Sequence, residues 1–147
     1  VRVQTYGSDF LHLGEVQVWA PSTVADKDGD GIPDWWETLY FGGPTNAVAT
    51  ADTDLDRFTE YEEYVAGTNP TNAASRFTIS SVSITPQGLT FQWEPVIPDR
   101  EYDVLGAPDL GTAFSVIRSN LVHPQGSYTN LAPLDPQGLY RVRVRMP

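Results

Sequence analysis

The chain has 147 residues, no cysteine and a formal net charge of −10 at pH 7. Without cysteine it has no disulfide bonds, thiolate zinc sites or cysteine nucleophile. There is no basic stripe of the kind that binds nucleic acid, so nucleic acid is not an expected partner. No apolar run approaches the roughly 18 residues that cross a bilayer, so no membrane span is predicted.

The first segment, residues 1–20, alternates apolar and polar side chains in two short runs joined by a turn at residues 7–9. Because period-two alternation is typical of strands, we predict a β-ribbon. Since the alternation starts at the first residue, no signal peptide is expected here. A two-stranded ribbon is marginal alone in water, so it must pack on something else. The letters VRVQTYGSDFLHLGEVQVW resemble the closing strands of discoidin-type domains.

The acidic charge is concentrated in one part of the second segment, residues 24–75. Residues 26–63 contain eleven acidic side chains and only two basic ones, Lys27 and Arg57. This stretch therefore carries −9 of the chain's net charge of −10. Charge of one sign at this density either repels itself or meets a cation. Three interpretations stand at this point: a solvated acidic face, a magnesium site and a calcium site.

Residues 26–37, DKDGDGIPDWWE, have the spacing of a twelve-residue calcium loop. Calcium takes six to eight oxygen ligands at roughly 2.3–2.6 Å, and side chains at alternate positions of a turning loop converge on one point. Gly31 at position 6 supplies the positive φ that reverses the chain. We predict a helix over residues 35–40, whose first turn supplies a carboxylate that binds through both oxygens. The predicted ligands are Asp26, Asp28, Asp30, Ile32 (through its carbonyl, with its side chain in the core), Asp34 and Glu37.

Residues 52–63, DTDLDRFTEYEE, repeat the same pattern and are followed by a helix predicted over residues 59–66 that stops at Gly67. Position 6 is Arg57 instead of glycine, and a positive φ there costs on the order of 1 kcal/mol. We therefore expect two Ca²⁺ ions, with the second site weaker or its loop geometry different. The predicted ligands are Asp52, Asp54, Asp56, Phe58 (through its carbonyl), Glu60 and Glu63.

Acids in register at positions 9 and 12 of both loops favour metal over a solvated face, and magnesium prefers to keep its waters, so calcium leads. Residues 26–72 resemble the thrombospondin type 3-like and dockerin-like calcium repeats of bacterial extracellular proteins, which are EF-hand-like but lack the entering helix. Here residues 21–23, Pro-Ser-Thr, precede the first loop. The resemblance implies a spacer or docking module that calcium rigidifies, not a sensor.

Residues 76–147 alternate β-like runs with turn residues at intervals of about ten, which predicts a small antiparallel β-sandwich. The fold class is therefore mainly β with a small α-helical calcium-loop module. The pattern resembles fibronectin type III-like modules of bacterial surface proteins. Six strands are few for such a sandwich, so an open edge is expected. The predicted strands are 77–85, 89–94, 101–106, 114–119, 127–131 and 139–146, and the predicted core is Phe91, Trp93, Tyr102 and Val104.

Two pairs of side chains have both a functional and a plain interpretation. His12 and His123 would suit a zinc pair or a catalytic base, but ordinary strand or turn histidines are commoner. Of Trp35 and Trp36, one is expected to plug the core beneath the loop. The other would then be the one exposed to stack on a sugar.

Charged residues of the third segment also allow two interpretations. The acids would suit a glycosidase pair if a cleft held them. The arginines alternate on one face of the last strand, which suits an acidic partner or, preferably, a charged edge that discourages aggregation. These residues are Glu94, Glu101, Asp103, Arg141, Arg143 and Arg145. With no Ser-His-Asp set, phosphate loop or nucleotide fingerprint, we predict a protein that is not an enzyme.

The leading hypothesis is a secreted, extracellular structural protein whose calcium sites rigidify the subunit. It would self-assemble as a homo-oligomer through β-strand contacts into a filament, tube or surface layer. The ribbon of residues 1–20 either folds back onto its own chain or reaches a neighbour. The alternative is an accessory module of a larger secreted enzyme or adhesin, with a surface glycan or a protein as its partner. A hydrolase fragment ranks last.

Overall fold

The structure is a computed structural model that describes residues 24–86, 88–131 and 138–147. The ribbon predicted over residues 1–20 lies outside the described residues. Within these ranges two helices precede six strands, which confirms a mainly β fold with a small helical part. The elements are α1 (Asp34–Phe41), α2 (Glu60–Ala66), β1 (Thr78–Thr85), β2 (Gly88–Glu94), β3 (Glu101–Ala107), β4 (Ser115–Val122), β5 (Ser127–Asn130) and β6 (Leu139–Arg145).

Both helices are short, and local capping defines their ends. The Thr59 side chain accepts from the main-chain N–H of Glu62, whose carboxylate accepts from Thr59 N in return, which forms a capping box at the start of α2. Gly67 ends α2 in the left-handed region with φ 76°, as the sequence predicts. Gly42 ends α1 with the same φ of 76°. No helix in the described ranges is long and apolar enough to cross a membrane.

The strands form two antiparallel sheets of three strands each, in the orders β1-β2-β5 and β4-β3-β6. Phe91 and Trp93 of β2 face Tyr102 and Val104 of β3 across the interior, and all four are at most 2% exposed. The predicted core is therefore confirmed. Leu121 of β4 joins it because β4 runs on to Val122, beyond the predicted end of that strand.

A second, smaller core lies beneath the acidic loops. Ile32 and Trp36 pack with Ala47 and Tyr64, so that the segment between the loops and both helices shares one cluster. Trp36 is 3% exposed and its neighbour Trp35 is 57% exposed. The prediction that one of the two tryptophans plugs this core is confirmed.

Arg100, in the turn between β2 and β3, joins the loop module to the sandwich. Its guanidinium donates to the carbonyl of Tyr64 (2.9 Å) and to that of Val65 (2.8 Å). It also lies 5.0 Å from the centre of the Tyr64 ring. These carbonyls belong to the last turn of α2, where a cation is favoured by the helix dipole. The module and the sandwich therefore share a polar joint.

Two arginines of β6, Arg143 and Arg145, pair with acids of their own sheet. Arg143 donates to Asp103 (Nη2 to Oδ2, 2.6 Å), and Arg145 pairs with Glu101 and lies 3.3 Å from Asp103. Burial alone would raise the pKa of Asp103. Hydrogen bonds from Arg143 and from the main chain of Asn120, together with the charge of Arg145, outweigh burial and hold that pKa below its usual range. Glu101 and Asp103 thus pair with arginine side chains of β6.

Candidate metal centre

The first loop gathers three carboxylates around one point. One oxygen from each of Asp26, Asp28 and Asp30 lies within 4.8 Å of the others. The main chain holds this arrangement, because Asp26 accepts from the N–H groups of Gly29 (2.8 Å) and Gly31 (3.0 Å). Such a set of oxygens is suited to a hard cation.

The second loop gathers its own three carboxylates, Asp52, Asp54 and Asp56, within the same 4.8 Å. Asp52 accepts from the N–H groups of Asp56 (3.1 Å) and Arg57 (2.9 Å). Asp56 in turn accepts from Phe58 N at 2.9 Å, as Asp30 of the first loop accepts from Ile32 N. Two clusters able to hold a metal ion are therefore present, each where the sequence predicts one.

The two loops share one backbone conformation. Positions 4 and 6 have positive φ in both: Gly29 (75°) and Gly31 (92°) in the first, Leu55 (64°) and Arg57 (84°) in the second. The second loop therefore does not escape the strained conformation by taking another path. Two non-glycine residues hold a region in which each costs on the order of 1 kcal/mol, so the strain expected at Arg57 is present and Leu55 adds to it.

Position 9 is an acid in both loops, and each accepts from the main-chain N–H of position 2. Asp34 accepts from Lys27 N at 2.8 Å, and Glu60 accepts from Thr53 N at 3.0 Å and also from the Thr53 hydroxyl. The repeated contact ties the start of each helix to the start of its loop.

The glutamate at position 12 is buried in each site. Glu37 is fully buried and Glu63 is 1% exposed. One oxygen of Glu37 accepts from Ala47 N at 2.9 Å, and one of Glu63 accepts from the Thr68 hydroxyl at 3.0 Å. The second oxygen, Oε2, of each has no hydrogen-bond partner among the described residues. A buried carboxylate without a compensating partner is costly, and a cation would supply one.

The pKa values of the buried glutamates also indicate that a cation would stabilise each site. Burial raises the pKa of Glu63 to about 7, and the charges of Asp54 and Asp56 push in the same direction, against the hydrogen bond from Thr68. Burial likewise raises the pKa of Glu37, to which Asp28, Asp30 and Asp34 add. The pKa of Glu60 is also raised, by burial first. A cation among these groups would reverse the repulsion.

At position 7 the two loops differ in packing. The Ile32 side chain is fully buried in the small core, as predicted, whereas the Phe58 side chain is 41% exposed. Coordination of an ion by the carbonyls of Ile32 and Phe58 remains a prediction. Binding through both carboxylate oxygens of Glu37 and Glu63 also remains a prediction.

Sequence patterns missed one charged neighbour of the second loop. Arg76 Nε lies 3.2 Å from Oδ2 of Asp56, whose side chain is fully buried, and Nε donates its hydrogen to the carbonyl of Ala73 at 2.7 Å. Arg76 therefore offers Asp56 a charge without a hydrogen bond. It follows the loop module in the chain, so loop spacing gives no sign of it.

The remaining candidates do not form a second centre in the described part of the chain. His123 lies in the turn after β4, beside a shallow pocket with Asp99 and Glu101, and His12 is outside the described residues. Comparisons of the chain with models of protein families, with curated proteins and with solved structures found no significant match. The proposals below therefore depend on the site itself.

Proposed function

We propose that this chain is a calcium-binding structural protein that acts outside the cell and is not an enzyme, with Ca²⁺ ions rigidifying each subunit. One observation carries the proposal. In each loop a buried glutamate at position 12, Glu37 or Glu63, keeps one oxygen without a hydrogen-bond partner in the described structure and interacts with its loop's aspartates. Because both loops have this feature at the same position, we expect each loop to bind the same kind of ion.

The choice of calcium rests on the donor set. Every predicted ligand is a carboxylate or carbonyl oxygen, and up to seven oxygens are available in each loop if the glutamate binds through both. Calcium accepts six to eight oxygens in flexible geometry, whereas magnesium demands a near-ideal octahedron and retains its waters. Extracellular calcium modules bind at roughly 10⁻⁴–10⁻³ M, which suits the calcium concentration outside cells.

The rigidifying role follows from where the ligands are attached. Glu37 belongs to α1 and Glu63 to α2, and both helices pack on the core of Trp36 and Tyr64. Arg100 then ties the end of α2 to the sandwich. An ion that pulled each glutamate towards its loop would therefore stiffen the module and its joint together.

We further propose that subunits self-associate through strand edges into a filament, tube or surface layer. In the described part of the chain β1, β4, β5 and β6 each pair with a neighbour on one side only. An unpaired edge is a template for another strand. Head-to-tail contacts between such edges extend without limit unless their rotation closes a ring.

The calcium proposal is tested by thermal unfolding and calorimetry of the full chain in calcium, in magnesium and in chelator. We expect the melting temperature to rise with calcium, because a ligand at a hundredfold excess over Kd adds about 2.7 kcal/mol to stability. Asp30→Ala should remove the first of two binding events, while Asp109→Ala, at an exposed turn, serves as the control. An equal melting temperature in calcium and chelator would refute the proposal. Sedimentation and electron microscopy in millimolar calcium test the assembly.

A second candidate function is an accessory module that binds a glycan. Trp35 is 57% exposed and Leu39, one turn along the same helix, is 64% exposed. Exposed aromatic rings of this kind stack on sugars. Glycan-array binding that Trp35→Ala abolishes, in a chain that does not assemble, would favour this candidate.

A further inference from the structure

A small cavity lies at the joint between the loop module and the sandwich. It has a volume of about 160 Å³ and is lined by residues of both helices, of the segment after α2 and of the turn between β2 and β3. Trp36 and Tyr64 of this lining are buried, whereas Trp35 is 57% exposed. The cavity therefore has an aromatic interior and an aromatic ring at its solvent-exposed side.

Arg100 is the only charged residue among those that line this cavity. The residue is 8% exposed, and no ion pair in the described part of the chain includes it. By contrast Arg76, Arg143 and Arg145, which are all more exposed, each lie against a carboxylate. A buried arginine normally has an anionic partner, because a charge removed from water is costly without one. Arg100 is therefore a buried cation that lacks a counter-charge among the described residues.

The contacts of Arg100 also leave part of its hydrogen-bonding capacity unused. A guanidinium has five N–H donors. Arg100 donates three of them, to the carbonyls of Tyr64 (2.9 Å), Val65 (2.8 Å) and Asp99 (2.9 Å). One N–H on each of Nη1 and Nη2 then remains without an acceptor in the described structure. Two free donors on one guanidinium suit an acceptor with two oxygens, such as a carboxylate.

The neighbours of the guanidinium compensate its charge only in part. Its central carbon lies 5.0 Å from the centre of the Tyr64 ring, and that ring lines the cavity. The carbonyls at the end of α2 contribute a helix-dipole charge of roughly half a unit. The chain as a whole is acidic, yet none of the residues that line this cavity is an acid. An anion that enters the cavity thus meets a cation and no lining carboxylate.

We infer that this cavity binds a sugar ring that carries a carboxylate, the kind of unit from which acidic polysaccharides are built. The carboxylate supplies the counter-charge that Arg100 lacks, and the exposed ring of Trp35 stacks on the face of the sugar. A neutral sugar meets only the second requirement, and a small carboxylate without a ring meets only the first. The inference rests on the second candidate function, glycan binding, and names the class of glycan. It does not depend on calcium, because neither Trp35 nor Arg100 is a predicted ligand.

The experiment is an NMR titration of the full chain in saturating calcium with three probes. Methyl glucuronoside and methyl glucoside have the same ring and differ in bearing a carboxylate or a hydroxymethyl group. Acetate supplies a carboxylate without a ring. The signals followed are the indole N–H of Trp35 and the Nε–H of Arg100, which report on the two sides of the cavity.

We expect methyl glucuronoside to shift both signals and to bind at least about tenfold more tightly than methyl glucoside, because hydrogen bonds to charged groups are the stronger ones. Acetate should bind more weakly than methyl glucuronoside, since it cannot stack on Trp35. This comparison uses the unmodified chain, so it decides the inference whether or not every variant below folds.

Two variants separate the contributions of the ring and the charge. Trp35→Ala should weaken the binding of methyl glucuronoside about fivefold or more, followed at Arg100 Nε. Phe114→Ala, at a ring that is 38% exposed just before β4, is the matched control and should leave binding unchanged. Arg100→Gln should reduce the affinity for methyl glucuronoside to that for methyl glucoside.

Three results would overturn the inference. Equal binding of the two sugars at Trp35 would leave glycan binding standing but remove the need for a carboxylate. Equal binding of acetate and methyl glucuronoside would show a site for small anions only. If neither sugar shifts Trp35, the cavity is not a sugar site. None of these results bears on calcium binding, which the calcium and chelator melts test separately.

Discussion

Arg76 Nε lies 3.2 Å from Oδ2 of Asp56, so a residue just before the first strand of the sandwich puts its charge on a predicted ligand of the second loop. The Asp56 side chain is fully buried and the Arg76 side chain is 46% exposed. The same carboxylate would have to face a metal ion. A positive charge at this distance competes with that ion, and it adds to the effect of Arg57 in making the second site the weaker one.

Arg76→Gln should tighten calcium binding at the second site. The substitution removes the competing charge. Because the Arg76 side chain is 46% exposed, solvent screens that charge, and the expected effect is up to about 1 kcal/mol, or roughly fivefold in Kd. Titration calorimetry resolves the two sites, and Arg118→Gln on β4 is the matched control for net charge. Unchanged or weaker binding at the second site would show that Arg76 does not compete with the ion.

Arg57→Gly should tighten the same site by a separate route. It relieves a non-glycine residue at φ 84° and removes a second positive charge beside the loop. The effect of relieved strain is on the order of 1 kcal/mol, and the melting temperature should rise even in chelator. Gly31→Ala is the converse test in the first loop, where φ is 92° and a Cβ would press on Tyr61. Weaker binding in Arg57→Gly would refute the assignment of position 6.

Arg100→Ala should destabilise the whole chain and loosen the joint. It removes two charge-assisted hydrogen bonds to the last carbonyls of α2, which then lack those partners, at a cost of about 2–3 kcal/mol. Urea unfolding should also separate into two transitions as the loop module and the sandwich lose their shared contact. Arg141→Ala, exposed on β6, is the control. A single transition with unchanged midpoint would show that Arg100 does not couple the two parts.

Without calcium, the free energy of unfolding should fall as pH rises from about 4.5 to about 7. The Glu63 pKa is about 7 in the folded chain against an ordinary 4.5. Within this window the folded state therefore holds a proton that the unfolded state has released. The stability is present below 4.5 and is lost as Glu63 ionises in its buried place. The pKa of Asp103 is below 3.8, so it does not titrate in this window.

The measurement is denaturant unfolding in chelator between pH 4.5 and 8. Glu63→Gln should make the fall in stability smaller, because glutamine stays neutral throughout, while the raised pKa values of Glu37 and Glu60 keep part of it. Calcium should raise stability most at the upper end. Stability that rises across the window in chelator would contradict the burial of Glu63 as the dominant effect.

Much of the architecture follows from local patterns. The repeated spacing of acids predicts both loops, and Gly31 at position 6 supports the first. Gly67 marks the end of α2 because only local conformation is needed there. Period-two alternation predicts the strands of the sandwich and the inward side chains Phe91 and Trp93. These signals lie within a few residues of each other, so the sequence by itself contains them.

Other features depend on segments that meet only in the folded chain. The buried carboxylate of Glu37 accepts from the main chain of Ala47, and the Arg76–Asp56 contact joins the residue just before the sandwich to the second loop. Arg100 meets the carbonyl of Tyr64 from the other side of the joint. The exposure of apolar side chains on β1, such as Val82, also appears only in the folded chain. Periodicity tells which face of a segment is apolar. Which partner covers that face is decided by long-range packing, and the spacing of residues along the chain carries no record of it.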